Sequence, residues 1–542
     1  MQADSRKIIS ENIVADRSKL KIICVFLHRI YFGRIPYERQ YRGKKRKAMN
    51  ITELQQSYAS HPNVEGVCRL LKDNSVRHLY CGGLYASAAS LFSSVLVQRA
   101  TCPLVFILGD MEEAGYFYHD LTQILGTEQV LFFPSSFRRA IKYGQKDAAN
   151  EILRTEVLSR LQKGEEGLCV VTYPDALAEK VVSRKELGEN TLKLHAGERV
   201  DMNFVTDVLR SYGFEYVDYV YEPGQYAVRG SIIDVFSFSS EYPFRIDFFG
   251  DEVESVRTFE VETQLSKEKK ESIVIVPDLS HSLEKKGSGG MVSFLDFLPS
   301  DSLLAMRDFL WLRERIQTVH DESLTPQAIA ARESEENGAI TLEGKLIDGG
   351  EFTLRALDFR RMEFGNKPTG TPDATVSFHT TVQPIFHKNF DMVAESFREY
   401  LSRHYTIYIC SDSLKQTDRI RAIFEDRGDN ISFTAVERTL HEGFADDTLR
   451  ICVFTDHQLF DRFHKYNLKS DKARSGKVAL SLKELNQFTP GDYVVHTDHG
   501  VGRFAGLVRI PNGDTTQEVM KIVYQNEDVA VSYTHLRAHE TE

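Results

Sequence analysis

The stretch RHLYCGGLYASAASLFSSVLVQRATCPLVFILGD, residues 77–110, decides the fold of the first part of the chain. It begins with an apolar run of strand character, continues through small residues with helical character, and ends in a second apolar strand, PLVFILGD. Since a glycine pair stands where the helix starts, this order predicts a βαβ unit with a glycine turn. Two further strands, VLFFPSS (130–136) and LCVVTYP (168–174), flank a helix around residues 148–161, so we expect an α/β layer.

The turn from Gly83 to Ser90 can be compared with the phosphate-binding loop, G-x-x-x-x-G-K-S/T. Ala88 stands where the second glycine belongs, and Ala89 stands where the lysine belongs. That lysine carries the positive charge that pairs with the β- and γ-phosphates of a nucleotide. We therefore interpret the turn as a degenerate loop, a close-packed helix start without nucleotide chemistry, and expect no cofactor in this chain.

Composition and charge limit the class of protein. The 542 residues predict three to four domains, and a chain with 42% hydrophobic and 27% charged residues is typical of a soluble globular protein. A net charge of −11 disfavours DNA binding by the whole surface. Seven scattered cysteines without a C-x-x-C pair favour a reduced, cytoplasmic compartment. The apolar run from Ile22 to Leu27 is too short for a signal peptide or a membrane span.

Both ends of the chain differ from its middle. Residues 1–48 carry 13 basic and four acidic residues without regular period and finish in GKKRKA. Such a run can be a nuclear-localisation or nucleic-acid patch, but we favour an upstream extension before a true start at Met49. After Val531 the sequence SYTHLRAHETE, residues 532–542, resembles translated adapter sequence. We expect the natural chain to continue beyond Val531.

A distinct module follows the first α/β segment. In FRIDFF, the side chains of Phe244, Ile246 and Phe248 should point to one face of a strand, and those of Arg245, Asp247 and Phe249 to the other. The following Gly-Asp pair predicts a tight hairpin turn. The module should be small and mainly antiparallel, and its charges alone indicate no more than a solvated sheet face.

The pattern of the remaining residues predicts three further parts. One should complete the α/β layer and bury the single tryptophan, Trp311. A small α/β domain without an assigned role should come next, and a basic linker should lead to short strands that predict an antiparallel barrel. His496 and His499 lack a third ligand nearby, so we expect no metal site. No catalytic constellation can be defended from the sequence.

Two signatures carry a family resemblance. YEPGQYAVRGSIIDVF (221–236) with EYPFRIDFFGDEVESVRTF (241–259) resembles the domain with which excinuclease B and the transcription-repair coupling factors dock on excinuclease A. PGDYVVHTDHGVGRFAGLVRI (490–510) resembles the RNA-polymerase-interacting domain of the coupling factors and of CarD-like regulators. Ala89 fits the decayed nucleotide loop of the coupling factors. The two signatures occur in the same order as in the N-terminal half of the coupling factors, and the resemblance covers about residues 49–531.

The resemblance implies a fold class and a set of domains. The class is multidomain α/β: a degenerate P-loop-type α/β layer with an inserted α+β adaptor domain, a further small α/β domain and a C-terminal small antiparallel β-barrel. The expected segments are an upstream extension (1–48), the first half of the layer (49–184), the adaptor (185–264), the second half of the layer (265–375), the small α/β domain (376–468), a linker (469–482), the barrel (483–531) and the tail (532–542).

The resemblance also implies partners and residues. Arg229 aligns with the arginine that contacts excinuclease A, and Gly230, Asp234 and Phe236 surround it. Glu215 stands where some members carry a second contact arginine. The RNA polymerase β subunit should meet the barrel, and the residues expected at that contact are Arg503, Phe504, Leu507 and Ile510.

The implied function is transcription-coupled repair, in which a stalled RNA polymerase is recognised and the excision machinery is recruited. ATP, Mg and DNA would be bound by a motor domain outside this chain, which we expect to be a monomer without enzymatic activity. Two alternatives stay open. A nucleotide-using excinuclease B is disfavoured by Ala89, and a free-standing transcription regulator is disfavoured by the long excinuclease-like part.

Overall fold

The computed structural model of the chain describes residues 48–136, 148–261, 263–278, 290–323, 344–462, 464, 466, 468, 491, 493–496, 500–512, 515–524 and 529–532. The predicted linker, 469–482, lies outside these residues. The predicted extension and tail also lie outside them, apart from Ala48 and Ser532. These three predictions therefore stay predictions.

The strands are numbered in chain order. They are β1 (Met49–Asn50), β2 (His78–Gly82), β3 (Leu104–Ile107), β4 (Val130–Phe133), β5 (Cys169–Thr172), β6 (Val181–Val182), β7 (Leu192–His195), β8 (Glu215–Tyr216), β9 (Gln225–Arg229), β10 (Ile232–Val235), β11 (Phe244–Phe249), β12 (Glu252–Phe259), β13 (Ser266–Lys270), β14 (Ser272–Ile275), β15 (Met291–Val292), β16 (Leu303–Met306), β17 (Arg360–Gly365), β18 (Ala374–Ser377), β19 (Thr380–Val382), β20 (Thr406–Ser411), β21 (Thr434–Glu437), β22 (Phe444–Asp446), β23 (Ile451–Thr455), β24 (Tyr493–His496), β25 (Gly500–Asn512), β26 (Thr515–Val523) and β27 (Val529–Ser532).

The helices are numbered in the same way. They are α1 (Ile51–Ala59), α2 (Pro62–Leu70), α3 (Ser87–Arg99), α4 (Met111–Leu125), α5 (Ala148–Lys163), α6 (Pro174–Ala178), α7 (Arg184–Glu189), α8 (Met202–Ser211), α9 (Phe294–Phe297), α10 (Phe309–Ser323), α11 (Gly349–Ala356), α12 (Phe390–Ser402), α13 (Leu414–Asp426) and α14 (Asp456–Leu459). No helix in the described part of the chain is both long enough and apolar enough to cross a bilayer.

A seven-stranded parallel sheet forms the first layer. Its order is β18-β2-β17-β16-β3-β5-β4, and every neighbouring pair is parallel. Strands β2, β3, β4, β5 and β16 are buried along their whole length, as expected for mainly apolar strands of a parallel sheet covered on both faces. Because β16, β17 and β18 come from residues 303–377, the segments on either side of the inserted module share one sheet.

A second sheet of six strands has the order β1-β21-β20-β23-β22-β19. The first four strands are parallel, and β22 and β19 run antiparallel to their neighbours. Strand β1 pairs Met49 with Val436, so the start of the predicted first domain belongs to the sheet of the predicted small α/β domain. Buried residues of this sheet, among them Cys410 and Phe444, share one hydrophobic cluster with the parallel sheet.

The inserted module is a six-stranded sheet in the order β13-β12-β11-β10-β9-β8, antiparallel except for the β8–β9 pair. The predicted alternation is confirmed, since Phe244, Ile246 and Phe248 are buried and Phe249 is exposed. The predicted hairpin is also confirmed, because Gly250 has a φ of +61° and Phe249 pairs with Glu252. The sheet extends to β13 and so passes the boundary predicted at residue 264.

The C-terminal strands form a four-stranded antiparallel sheet in the order β24-β25-β26-β27. The described pairings join neighbouring strands only, and closure into a barrel stays a prediction. Gly502 lies inside β25, where a Cβ atom would stand 2.4 Å from Cγ2 of Ile522. Close approach between two strands therefore accounts for this glycine.

The predicted burial of Trp311 is wrong. Its side chain is 44% exposed near the start of α10, and its ring would lie only 3.8 Å from a Cβ atom added at Gly109. The buried side of that helix is formed instead by Phe309, Leu312 and Ile316. Helical spacing places these three on one side and Trp311 beside it.

Candidate interaction sites

The hairpin of β9 and β10 presents Arg229 at the edge of a tight turn. Arg229 pairs with Ile232 across the turn, and Gly230 between them has a φ of +63°, which favours glycine. No atom lies within 4 Å of a Cβ atom added at Gly230, so there is room for a side chain there. Glycine is favoured at this position because of the positive φ. The turn therefore holds Arg229 at the end of a rigid strand.

A buried carboxylate fixes the position of Arg229. The guanidinium of Arg229 forms an ion pair with Asp234, whose side chain is 1% exposed. Asp234 also accepts two hydrogen bonds from Arg245, from Nε at 2.7 Å and from Nη2 at 2.9 Å. The Arg229 guanidinium lies 5.0 Å from the ring centroid of Tyr219, in cation–π geometry. One carboxylate thus orients two arginines on the same face of the sheet.

The four residues predicted to meet excinuclease A lie at two depths. The side chain of Arg229 is 35% exposed and Gly230 is exposed, whereas Asp234 and Phe236 are buried. Phe236 packs with Ala227 and other apolar side chains in a small cluster, and Ala227 pairs with Asp234 across the two strands. The two surface residues are therefore available for contact, and the two buried ones hold the strand and Arg229 in place.

Exposed aromatic side chains on the module were not predicted from the sequence. They are Phe204, Tyr216, Tyr219, Tyr221 and Phe249. Aromatic residues are enriched in protein–protein interfaces. The run of tyrosines in EYVDYVYEP, beside acidic residues that cannot be buried cheaply, is the signal that could have located them.

The degenerate loop is closely packed, as predicted. Gly83, directly after β2, has a φ of +77°, and a Cβ atom there would stand 2.1 Å from the carbonyl oxygen of Phe378. Ala88, Ala89 and Ser90 are all buried in the first turns of α3. Backbone and side chains therefore pack closely against Gly83 and the first turns of α3.

The C-terminal sheet places the predicted polymerase-contact residues along β25. Arg503 is exposed and its guanidinium donates a hydrogen bond of 2.7 Å to the hydroxyl of Tyr493, whereas Phe504 is buried. The strand register shifts between Phe504 and Leu507, which is a β-bulge. Beyond it, Leu507 pairs with Met520 and Ile510 with Gln517, and their side chains lie outside the described part of the structure.

No group of three His, Cys, Asp or Glu side chains among the residues that the structure describes could hold a metal ion. His499 lies outside the described residues, so its predicted lack of a metal role stays a prediction.

Comparison with known proteins identifies two domains and a set of relatives. The UvrB interaction domain family matches residues 192–281, and the CarD-like/TRCF RID domain family matches residues 488–533. Transcription-repair-coupling factors of Staphylococcus aureus (strain bovine RF122 / ET3-1) and Bacillus subtilis (strain 168) are 23% and 22% identical to the chain, each over 82% of it and 43% of the relative.

The chain thus spans less than half the length of these relatives. The match to the UvrB interaction domain covers the inserted module with Arg229, and the second match covers the C-terminal sheet. Both domains, in this order, and the long alignment support similarity of the chain to the N-terminal half of a transcription-repair-coupling factor.

Proposed function

We propose that the chain acts in transcription-coupled DNA repair, by binding RNA polymerase through its C-terminal sheet and excinuclease A through its inserted module. The observation that carries this proposal is the presence of both interaction domains on one chain. A cytoplasmic location, and an ATP-driven DNA motor in the full-length protein, belong to the same proposal.

The surface around Arg229 supports binding of an acidic partner. The guanidinium forms an ion pair with Asp234 and a cation–π contact with Tyr219, so Arg229 loses little further side-chain conformational entropy on binding. An ordered arginine can form two parallel hydrogen bonds to a carboxylate of the partner. Arg229 is therefore the anchor of this surface, and Asp234 and Phe236 are positioning residues.

Strand β25 supports binding of the polymerase. Strand β24 pairs with residues 500–503 only, whereas β26 pairs with residues 503–512 on the other side. The N–H of Gly491 donates a hydrogen bond to the carbonyl oxygen of Phe504. Beyond it, none of the described strands pairs with the β24-side edge of residues 507–512. An extended strand of the polymerase β subunit can add to such an edge through main-chain hydrogen bonds. Leu507 and Ile510 lie along this edge strand and would supply the side-chain anchors.

The excinuclease contact is tested by charge reversal. Arg229→Glu should weaken binding of excinuclease A by about 2–5 kcal/mol, the range for disrupting a hydrogen-bonded charge pair at an interface. Binding is measured by calorimetric titration with purified excinuclease A, and the fold by circular dichroism.

A matched control is Arg210→Glu. Arg210 lies on α8, which packs against the opposite face of the sheet through Val205 and Leu209, and its side chain is exposed. This variant should bind like the wild type. Equal affinity of the folded Arg229→Glu protein and the wild type would remove Arg229 from the interface.

A further inference from the structure

The degenerate loop is occupied by a segment of the second sheet. The backbone N–H of Ser87, at the start of α3, donates a hydrogen bond of 3.4 Å to the carbonyl oxygen of Glu442. In return, the N–H of Glu442 donates to the hydroxyl oxygen of Ser87 at 3.0 Å. The free N–H groups of a helix start are the groups that bind phosphate oxygens in nucleotide sites. Here a protein carbonyl takes that place.

A buried carboxylate joins the loop to this segment. Asp120 on α4 accepts a hydrogen bond of 2.6 Å from the Ser87 hydroxyl and one of 2.7 Å from the N–H of His441. Burial raises the pKa of Asp120 to about 7, against the lowering effect of these hydrogen bonds. One oxygen of this carboxyl group therefore holds Ser87 within the first layer, and the other links that layer to His441 of the second sheet's segment.

Aromatic contacts extend the junction along α4. The ring of Tyr116 stacks on His441 with a centroid distance of 3.6 Å, and its hydroxyl donates to the carbonyl oxygen of His464 at 2.8 Å. At Gly115 a Cβ atom would stand 2.5 Å from the ring of Tyr466. The helix lacks a side chain where that ring packs, so the two surfaces fit closely.

The remaining space beside the loop suits an anion poorly. A cavity of about 570 Å³ lies there, lined by Asp110, Glu112, Glu113 and Glu442, with Arg307 and Arg462 as its basic residues. Arg307 already forms an ion pair with Glu113, and Arg462 one with Asp456. The carboxylates that line the cavity therefore outnumber the arginines, which disfavours a triphosphate.

We propose that His441 and Glu442 are an internal plug, which takes the place of a nucleotide phosphate at the start of α3 and fastens the second sheet to the parallel sheet. Nucleotide is then excluded by occupation of the site as well as by the missing lysine. The plug gives the segment of residues 376–468 a role, that of holding the two sheets as one body. This inference is independent of both proposed partners.

Hydrogen exchange read by mass spectrometry tests the plug in the full chain. In Asp120→Ala, the N–H of His441 loses its acceptor and the Ser87 hydroxyl loses its anchor. Amides in residues 438–445 should exchange about tenfold to a hundredfold faster, the range for loss of a hydrogen bond to a carboxylate. Residues 104–107 of β3 should keep wild-type protection, which establishes that the variant is folded.

The matched control is Asp373→Ala. Asp373 accepts two backbone hydrogen bonds of 2.8 Å, from Arg77 and His78, at the opposite end of β2 from the loop. This variant should leave exchange in residues 438–445 unchanged. If Asp120→Ala disturbs β3 as well, Ser87→Ala replaces it. That change removes the hydroxyl that accepts from the Glu442 N–H and donates to Asp120, and it leaves the Asp120 carboxylate bound to the N–H of His441. Wild-type exchange in residues 438–445 of the folded loop variant would overturn the plug.

Discussion

Acidification should loosen the junction between the two sheets through a cluster of histidines. The histidine cluster consists of His119, His441, His457 and His464. The distance between ring centroids is 4.4 Å for His457 and His464 and 5.3 Å for His119 and His464. Burial lowers the pKa of His119, His441 and His457 to about 4, and that of His464 in the same direction. For His119, the neighbouring His464 adds to this effect and Asp412 opposes it.

The sign and size of the effect follow from proton linkage. An unfolded histidine has a pKa of about 6.5, so between pH 6.5 and about 4 the unfolded chain binds more protons than the folded chain. Stability is therefore fully present above about pH 7.5 and falls as the pH drops through this window. From pH 7.5 to 5.5, one histidine with a folded pKa of about 4 lowers the free energy of unfolding by about 1.3 kcal/mol, and three such histidines lower it by about 4 kcal/mol.

The assay compares unfolding at two pH values. Urea unfolding is followed by the fluorescence of Trp311, the single tryptophan of the chain, at pH 7.5 and pH 5.5. His119→Gln should reduce the stability difference between the two pH values by about 1.3 kcal/mol relative to the wild type. Taking the difference of differences cancels the other titrating groups, which the two proteins share.

A control variant separates titration from packing. Tyr116→Phe removes the hydrogen bond to His464 without removing a histidine, so it should cost about 1 kcal/mol at both pH values and leave their difference unchanged. The reasoning is refuted if His119→Gln shows the same pH difference as the wild type.

Three further predictions concern a packed glycine, the degenerate loop and the polymerase contact. Gly115→Ala should destabilise the chain by about 1–3 kcal/mol, because its Cβ would meet the ring of Tyr466, whereas Gly66→Ala on α2, with no atom within 4 Å, should be neutral or stabilising in the same urea assay. Ala89→Lys restores the loop lysine but should not restore ATP binding, because the plug occupies the site; saturable binding of Mg-ATP by this variant in calorimetry would contradict the plug. Ile510→Arg should abolish pull-down of RNA polymerase while leaving the melting curve unchanged, since a charge would have to be desolvated in an apolar contact; retained binding, or lost binding with a collapsed melt, would count against Ile510 as an anchor.

Local pattern was enough to predict several elements. Apolar spacing and caps, which are properties of adjacent residues, predict helices over residues 389–402 and 414–425. The structure has helices there, at Phe390–Ser402 and Leu414–Asp426. The alternation in β11 and the turn at Gly250 followed in the same way. The packed start of α3 could be expected because the residues there are small.

Contacts between residues far apart in the chain could not be predicted from local sequence patterns. Strand β1 has two residues and pairs with β21, almost 400 positions away, so nothing near Met49 indicates its sheet. The alternation of apolar and polar residues along β10 predicts that Asp234 is exposed. Only the folded sheet brings Arg229 and Arg245 from neighbouring strands to its carboxylate oxygens. The plug likewise depends on a meeting of Ser87 with Glu442, which no local pattern predicts.

The bridging of polymerase and excinuclease A is tested most directly by size-exclusion chromatography of the chain with both purified proteins. We expect one complex that contains all three, which loses only excinuclease A with Arg229→Glu and only polymerase with Ile510→Arg. Elution of the two partners in separate peaks, each with or without the chain, would contradict the proposed function.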